Sequence, residues 1–344
     1  MSQTWPGLLS QLLEGRDLTS ADTTWAMSEI MSGSATDAQT AAFAMALRAK
    51  KEVPEEVAGL AGEMLARATP LPIPAGTITV DTCGTGGDRA HTVNISTMAA
   101  LVVAGTGARV AKHGGRAASS ACGSADVLEQ LGVAIEADPV HVARSIMEVG
   151  IGFCFAPRFH PAMRHAGPVR TQLGVPTFFN ILGPLTNPAR PAAQVVGVPD
   201  PRLAKLVAEV FAMRPVSVLV VRGEDGLDEL TTYTPSTVWW VRDGSVTQHT
   251  LDPRELGIAT PDAGALVGGD AATNAAVVRT FLEGVPGAVR DAVLLNAAGA
   301  LVAIEPAASD DLTASFEKAL ALATESVDSG AAATVLERWI AFQL

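Results

Sequence analysis

The sequence predicts an α/β protein. A small all-helical N-terminal domain precedes a larger domain with a central mixed sheet flanked by helices. Three features lead there. Apolar residues recur at helical spacing, with cap residues at the ends, up to Pro70. A stiff stretch, Pro70-Leu-Pro-Ile-Pro74, then interrupts the chain. Beyond it, short β-branched runs alternate with helical ones. The expected domains are residues 1–72 and 73–344 of this 344-residue chain, which is 48% hydrophobic and long enough for a sizeable core.

Trp5, Leu8, Leu9, Leu12 and Leu13 share one face of a first helix. A second follows the Thr19-Ser20 cap region and stops near Gly33, and Thr36-Asp-Ala-Gln39 has the capping-box pattern of a third. The fourth has Pro54 at its start and Glu55 and Glu56 in its first turn, and it ends before Pro70. Past the prolines, Thr77 to Thr82 reads as a strand running into a glycine turn. Asn94 to Ala104 is a helix closed by Gly105, Arg109 to Lys112 a strand, and Ser124 to Leu131 a helix stopped by Gly132. Ser217 to Val221 is a strand ending in Arg222-Gly223, and Val238 to Val241 and Val246 to Thr250 flank the hairpin signal Asp243-Gly244. Gly284 to Gly299 and Leu312 to Phe342 read as helices. The longest apolar run, Ala292 to Ile304, is interrupted by Asn296 and too short to span a bilayer, so a buried helix is expected there.

Net charge is −12, from 24 cationic and 36 acidic side chains. That opposes nucleic-acid and anionic-membrane binding, which need a basic surface, but leaves room for a phosphate ligand met by a local cluster. Cys83, Cys122 and Cys154 form no C-x-x-C pair and suit reduced thiols, and Met-Ser-Gln-Thr-Trp-Pro at the start is not a signal-peptide pattern. A cytoplasmic location is expected.

Gly84-Thr-Gly-Gly-Asp88 follows a predicted strand, as a phosphate loop does. Arg89 occupies the third glycine position of the dinucleotide pattern, and the Gly-Lys-Ser/Thr of a Walker loop is absent. By itself the segment equally fits a tight turn. Thr92, Asn94, Ser96 and Thr97 then crowd a helix start with more cap-type residues than one cap uses. Lys112-His-Gly-Gly-Arg116, with Ser119, Ser120 and Ser124, adds fixed positive charge, hydroxyl donors and glycines that admit close approach of a ligand. Asp228 and Glu229, backed by Glu224 and Asp225, follow the Ser217 strand; such a pair suits Mg2+ beside substrate phosphates. Arg158, Arg164 and Arg170 lie among apolar residues, and Arg170 suits a carboxylate. His160 and His165 lack the spacing of a helical zinc pair.

Taken together, these segments resemble the anthranilate phosphoribosyltransferases of tryptophan biosynthesis, nearly end to end. The marks are Gly84-Thr-Gly-Gly-Asp88, Asn94-Ile-Ser-Thr97, Lys112-His-Gly114, Ser119-Ser120, Gly123-Ser-Ala-Asp126, Phe179-Asn-Ile-Leu-Gly-Pro-Leu-Thr-Asn-Pro188 and Asp225-Gly-Leu-Asp-Glu229. The resemblance implies the related fold of nucleoside phosphorylases and phosphoribosyltransferases, with a mid-chain segment, about 167–189, joining the small domain. It implies a homodimer, two Mg2+ ions per monomer, and transfer of the phosphoribosyl group of 5-phosphoribosyl-1-diphosphate (PRPP) to anthranilate. Carried over by motif, PRPP would meet Gly84, Gly87, Asp88, Thr92, Asn94, Ile95, Ser96 and Thr97. It would also meet the run Lys112, His113, Gly114, Gly115, Arg116, Ala117, Ala118, Ser119 and Ser120, together with Ser124. Ser96, Asp228 and Glu229 would serve Mg2+; Gly84, His113, Gly115 and Arg170 would line the anthranilate site; Lys112, Asp228 and Glu229 would be catalytic.

The chain departs from the pattern at Gly115, where the family usually has Asn, at Pro176, where many members have Arg, and at Arg89, a common Gly. A lost side-chain hydrogen bond at Gly115 is worth about 0.5–1.5 kcal/mol. Three other readings stay open: a paralogue with another aromatic acceptor, a pyrimidine-nucleoside phosphorylase, and a non-catalytic nucleic-acid-binding relative. Metal-dependent turnover of PRPP separates the first from the other two.

Overall fold

Thr4 accepts Gly7 N–H and opens α1 (Trp5–Leu13), with Pro6 in its first turn. Capping boxes from Thr19 to Asp22 and from Thr36 to Gln39 start α2 (Ser20–Ser32) and α3 (Asp37–Lys50), and α4 (Pro54–Ala66) starts at its proline. Glu56 does more than face a helix dipole. It is fully buried, accepts Leu18 N–H and Val53 N–H at 2.9 Å each, and pairs with Lys50 at 3.0 Å, tying α4 to the end of α3 and to the segment ahead of α2. These elements and those below belong to a computed structural model that describes residues 3–117, 121–305 and 311–342.

Beyond the prolines come β1 (Val80–Gly84), α5 (Ile95–Gly105), β2 (Val110–Gly114), α6 (Ser124–Leu131), α7 (Pro139–Glu148) and β3 (Ile151–Phe155). Next are α8 (Ala156–Phe159), α9 (Gly167–Leu173), α10 (Leu182–Leu185), β4 (Ala193–Gly197), α11 (Pro201–Ala212) and β5 (Ser217–Gly223). The hairpin β6 (Ser236–Arg242) and β7 (Ser245–Leu251) turns through Asp243 (φ 50°) and Gly244 (φ 72°), the left-handed pair a tight hairpin needs. Four helices follow: α12 (Ala271–Leu282), α13 (Ala288–Ile304), α14 (Leu312–Asp328) and α15 (Ala331–Ala341).

The seven strands lie in the order β3-β2-β1-β4-β5-β6-β7, parallel from β3 to β5 and antiparallel through the hairpin. Both faces are covered, so strand residues alternate between two cores. Val195, Leu219, Val221 and Trp240 pack with α5 and α13, while Val196, Val218, Val220 and Trp239 pack with α11 and the N-terminal helices. The mid-chain segment joins the second core, with Phe178 edge-on to Phe43 at 5.8 Å. No helix of the described residues is long and apolar enough to cross a membrane.

The mixed sheet and the four leading helices match expectation; several boundaries do not. β1 begins at Val80 rather than Thr77, because its pairing with β4 starts at Val80 and Ala193. The helix expected from Gly284 starts at Ala288, after Gly284 (φ 80°) and Gly287 (φ 145°). The long C-terminal helix is two, broken at Gly330 (φ 76°). β3, β4, α7, α11 and α12 gave no sequence signal strong enough to name.

Candidate active site

The strand order reverses at β1, which has β2 on one side and β4 on the other. In parallel sheets the crevice at such a reversal, beyond the carboxyl ends of the strands, is where ligands sit. A cleft of about 370 Å3 opens there, lined by the glycine loop, the start of α5, the end of β2, the start of α6, and Asp228 and Glu229.

The loop after β1 is bound to both neighbours. Thr85 N–H donates to Gly197 O at 2.9 Å and Gly86 N–H donates to Asp228 Oδ2 at 2.7 Å. Further along, Val93 N–H reaches Leu266 O at 2.9 Å and Gly268 N–H reaches His91 O at 2.8 Å. Gly86 and Gly87 take the left-handed backbone (φ 69° and 92°) that presents successive N–H groups to one side, as an anion nest does.

Beneath the cleft, β1 and β2 pair at Val80 and Val110, and beyond that point side chains take over from the backbone ladder. Asp81, fully buried, accepts His113 N–H at 3.1 Å. Asn187, from the mid-chain segment, spans the gap: its amide nitrogen donates to Asp81 Oδ2 at 2.8 Å and to Ala111 O at 2.7 Å. Lys112 is 1% exposed, with Nζ donating to Thr82 O at 2.6 Å and to Ser96 Oγ at 3.4 Å. Burial lowers its pKa, and Asp81 opposes that shift. Burial likewise raises the Asp81 carboxyl.

His113 Nδ1 lies 3.1 Å from Gly183 O; a carbonyl only accepts, so that nitrogen carries the hydrogen. Nε2 is then an acceptor, and it has no partner among the described residues. Burial and the neighbouring His160 ring, 5.2 Å away, push the His113 pKa down to about 3, so the ring stays neutral at physiological pH.

The acidic pair is fixed from three sides. Asp225 accepts Leu227 N–H and Thr231 Oγ1–H and shapes the turn. Buried Asn296 of α13 takes Leu230 N–H at 2.9 Å and donates to Leu230 O at 2.8 Å, holding the residue after Glu229. Gly84 and Gly197 abut Asp228, so a Cβ at either would overlap it. Glu229 accepts Ser96 N–H at the start of α5. Burial raises both carboxyls; Glu229 then raises Asp228, while Asp88 raises Glu229 against the pull of Lys112, and Glu229 reaches about 7. Asp88 shares a hydrogen bond with Asp228, which raises the latter further. Among the described residues no three His, Cys, Asp or Glu side chains surround one point. Two carboxylates and the Ser96 hydroxyl nevertheless fit an ion that takes its remaining oxygens from substrate and water.

Most sequence-predicted residues do converge. Gly84, Gly87, Asp88, Thr92, Asn94, Ile95, Ser96, Thr97, Lys112, His113, Gly114, Gly115, Arg116, Ala117, Ser124, Asp228 and Glu229 all line the cleft. Ala118, Ser119 and Ser120 lie outside the described residues. Two members are engaged elsewhere. Arg116 pairs with Asp126 at 3.1 Å and Glu129 at 2.7 Å. The Asn94 amide donates to Cys122 O and accepts from Asn274 Nδ2. Arg170 is not among the lining residues; its guanidinium stands 5.5 Å from the Phe179 ring, and no carboxylate pairs with it among the described residues. Glu224 bonds Thr237 and Arg222 and, with Asp225, serves the loop rather than the cleft. Sequence reasoning missed Asp81, Asn187 and Gly197, and read Asn296 only as a break in an apolar run.

Two family models match, "Glycosyl transferase family, a/b domain" over residues 76–333 and "Glycosyl transferase family, helical bundle domain" over residues 6–68. The anthranilate phosphoribosyltransferase of Salinispora arenicola is 58% identical over 340 residues, covering 98% of this chain and 96% of that one. That of Acidothermus cellulolyticus is 59% identical over 336 residues, with coverages of 98% and 94%. The crystal structure of the Thermus thermophilus anthranilate phosphoribosyltransferase superposes with a TM-score of 0.90 at 41% identity, covering 97% of this chain and 98% of that one. The Saccharomyces cerevisiae enzyme in complex with PRPP and Mg gives 0.89 at 27% identity, with coverages of 98% and 97%.

Proposed function

The chain belongs to the anthranilate phosphoribosyltransferase family, and from that premise we infer what its cleft does. It transfers the 5-phosphoribosyl group of PRPP to the amine of anthranilate, giving N-(5-phosphoribosyl)anthranilate and diphosphate in L-tryptophan biosynthesis. One observation carries the residue-level reading: the glycine loop, the Lys112 strand end and the Asp228-Glu229 pair meet on one cleft.

The C1–N bond forms as the bond from C1 to the diphosphate oxygen breaks, and the amine gives up one proton. An arylamine is nucleophilic when neutral, so no covalent enzyme intermediate is required and neither Cys83 nor Ser119 is assigned one. The Gly86 and Gly87 nest and the start of α5 receive the diphosphate, and Lys112 supplies fixed charge from below. His113 lines the acceptor side with a ring that stays neutral. Arg170, half-buried and without a carboxylate partner among the described residues, suits the anthranilate carboxylate. Gly115 stands in open space, so the acceptor side is roomier than a side chain there would leave it.

Asp228, Glu229 and the Ser96 hydroxyl would hold Mg2+, two ions per monomer, and the ions when bound would offset charge on the departing diphosphate. The small domain is assigned to residues 1–72 plus the segment at about 167–189, with residues 73–344 forming the large one. A homodimer is part of the same reading. So is a cytoplasmic location, in keeping with three free, buried cysteines.

Mixing the protein with anthranilate, PRPP and Mg2+ is expected to extinguish anthranilate fluorescence; persistence of the signal at saturating Mg2+ would refute the reading. Substituted benzoates run alongside report how the space at Gly115 is used. Protons should also compete with Mg2+. The folded chain holds both carboxyls above the usual range, and Glu229, at about 7, binds a proton as pH falls through neutrality. The Mg2+ concentration for half-maximal rate should therefore rise by about tenfold per pH unit below about pH 7. A half-saturation point that stays constant from about pH 8 to about pH 6 would remove these carboxylates from the ion site.

A further inference from the structure

Four residues between β1 and α5 take the left-handed backbone: Gly86 (φ 69°), Gly87 (φ 92°), Arg89 (φ 60°) and His91 (φ 52°). Glycine enters that region freely; a long side chain stays there only where its surroundings hold it. They do so on both sides of Arg89. Gly86 N–H is bound by Asp228 Oδ2 and His91 O by Gly268 N–H, and between them Ala90 N–H donates to Asp88 Oδ1 at 3.1 Å. Arg89 is thus presented at the tip of a pinned loop. It is exposed and lines the cleft, and no hydrogen bond or ion pair engages its guanidinium among the described residues.

The other fixed cations of the cleft are committed. Arg116 is held by Asp126 and Glu129, and the Lys112 ammonium lies buried against Thr82 O and Ser96 Oγ. Three carboxylates, Asp88, Asp228 and Glu229, line the same cleft. Apart from the ions that Asp228 and Glu229 would hold, a diphosphate entering the cleft therefore has one buried ammonium to meet it. The planar guanidinium fork matches paired phosphate oxygens, and a side chain with no ion pair to break can turn to them freely.

We propose that Arg89 binds the diphosphate group of PRPP, and the diphosphate released from it, from the tip of the glycine loop. The inference rests on the PRPP reading above and adds to it a binding residue on the glycine loop.

Arg89→Gly tests it without straining the loop, since glycine suits the φ of 60° and the melting temperature should not fall. Arg89→Gln, which keeps a polar side chain with a Cβ but not the charge, guards against a change in loop path. At low ionic strength both variants should raise the KM for PRPP and the inhibition constant of inorganic diphosphate by about tenfold. The KM for anthranilate should move by less than about twofold. The difference from wild type should shrink at high salt, because an exposed charge is screened, and Arg89→Lys should recover part of it. Unaltered PRPP and diphosphate constants in both neutral variants, or an increase confined to anthranilate, would overturn the assignment while the reaction itself stood. A wild-type protein that never consumes PRPP would instead bring down the underlying reading.

Discussion

The Asp228→Asn, Glu229→Gln double variant should lose roughly a thousandfold in kcat/KM for PRPP and yet melt at a higher temperature than the parent without ligands. The two effects have one cause. In the folded chain both carboxyls sit half-buried beside each other and beside Asp88, and their pKa values are raised. A carboxyl whose folded pKa lies above its unfolded value favours the folded state most when protonated. That contribution is complete below the unfolded value, near 4.5 for Glu229, and fades as pH rises through about 7. Neutral amides remove the repulsion at every pH. The gain is held to about 1–2 kcal/mol because water still reaches both groups. Asn at position 228 can still accept Gly86 N–H, so the loop keeps its anchor. What the variant loses is the negative charge an ion needs. Thermal melts and Mg2+-dependent kinetics on the same preparation check both halves. Full turnover would show that catalysis does not need the pair, and a lower melting temperature would show that the charged pair stabilises the fold.

Gly197→Ala should be the most damaging single methyl group in the molecule. Gly197 ends β4 where the backbone of Asp228 crosses it, and an added Cβ would overlap the Asp228 carbonyl oxygen and carbon, which belong to rigid backbone. Something larger than a rotamer must move. The expected cost is about 3 kcal/mol or more in stability, with roughly a hundredfold loss of activity as Asp228 and Glu229 leave the cleft. Gly62→Ala is the control. Gly62 is an exposed residue of α4 with no neighbour within 4 Å of a Cβ, and alanine there should stabilise by about 0.5–1 kcal/mol. Chemical denaturation of the two variants separates the effects. A Gly197→Ala protein as stable and active as the parent would mean that the acidic loop tolerates displacement.

The parts of this site that were legible in the sequence are those whose chemistry is local. A glycine turn ending in Asp88, cap-type residues from Thr92 to Thr97 and adjacent carboxylates at Asp228 and Glu229 each occupy a few consecutive positions, and each keeps its meaning without a partner. The hairpin at Asp243-Gly244 was readable for the same reason: its φ values follow from residue type. Arg116 and Asn94 were read as ligand contacts on the same local grounds. In the folded chain those side chains also meet the carboxylates of Asp126 and Glu129 and the amide of Asn274, pairings that the local pattern does not announce. β3 and β4 went unnamed because both parallel strands, β3 at the sheet edge included, are buried on both faces and lose the alternation that marks a strand.

By itself, then, the amino-acid order determined the four capped helices, the proline break, the phosphate-seeking turn and the acidic pair, because backbone preference and capping act within a turn or two of chain. Only the tertiary structure decided that Asp81 is buried under Lys112, that Asn187 bridges two strands, that Asn296 holds the acidic loop, and that Gly197 leaves room for Asp228. Those contacts join residues far apart in the chain. They arise when a sheet covered on both faces brings the ends of β1, β2 and β4 together, and burying its two apolar faces at once selects that arrangement.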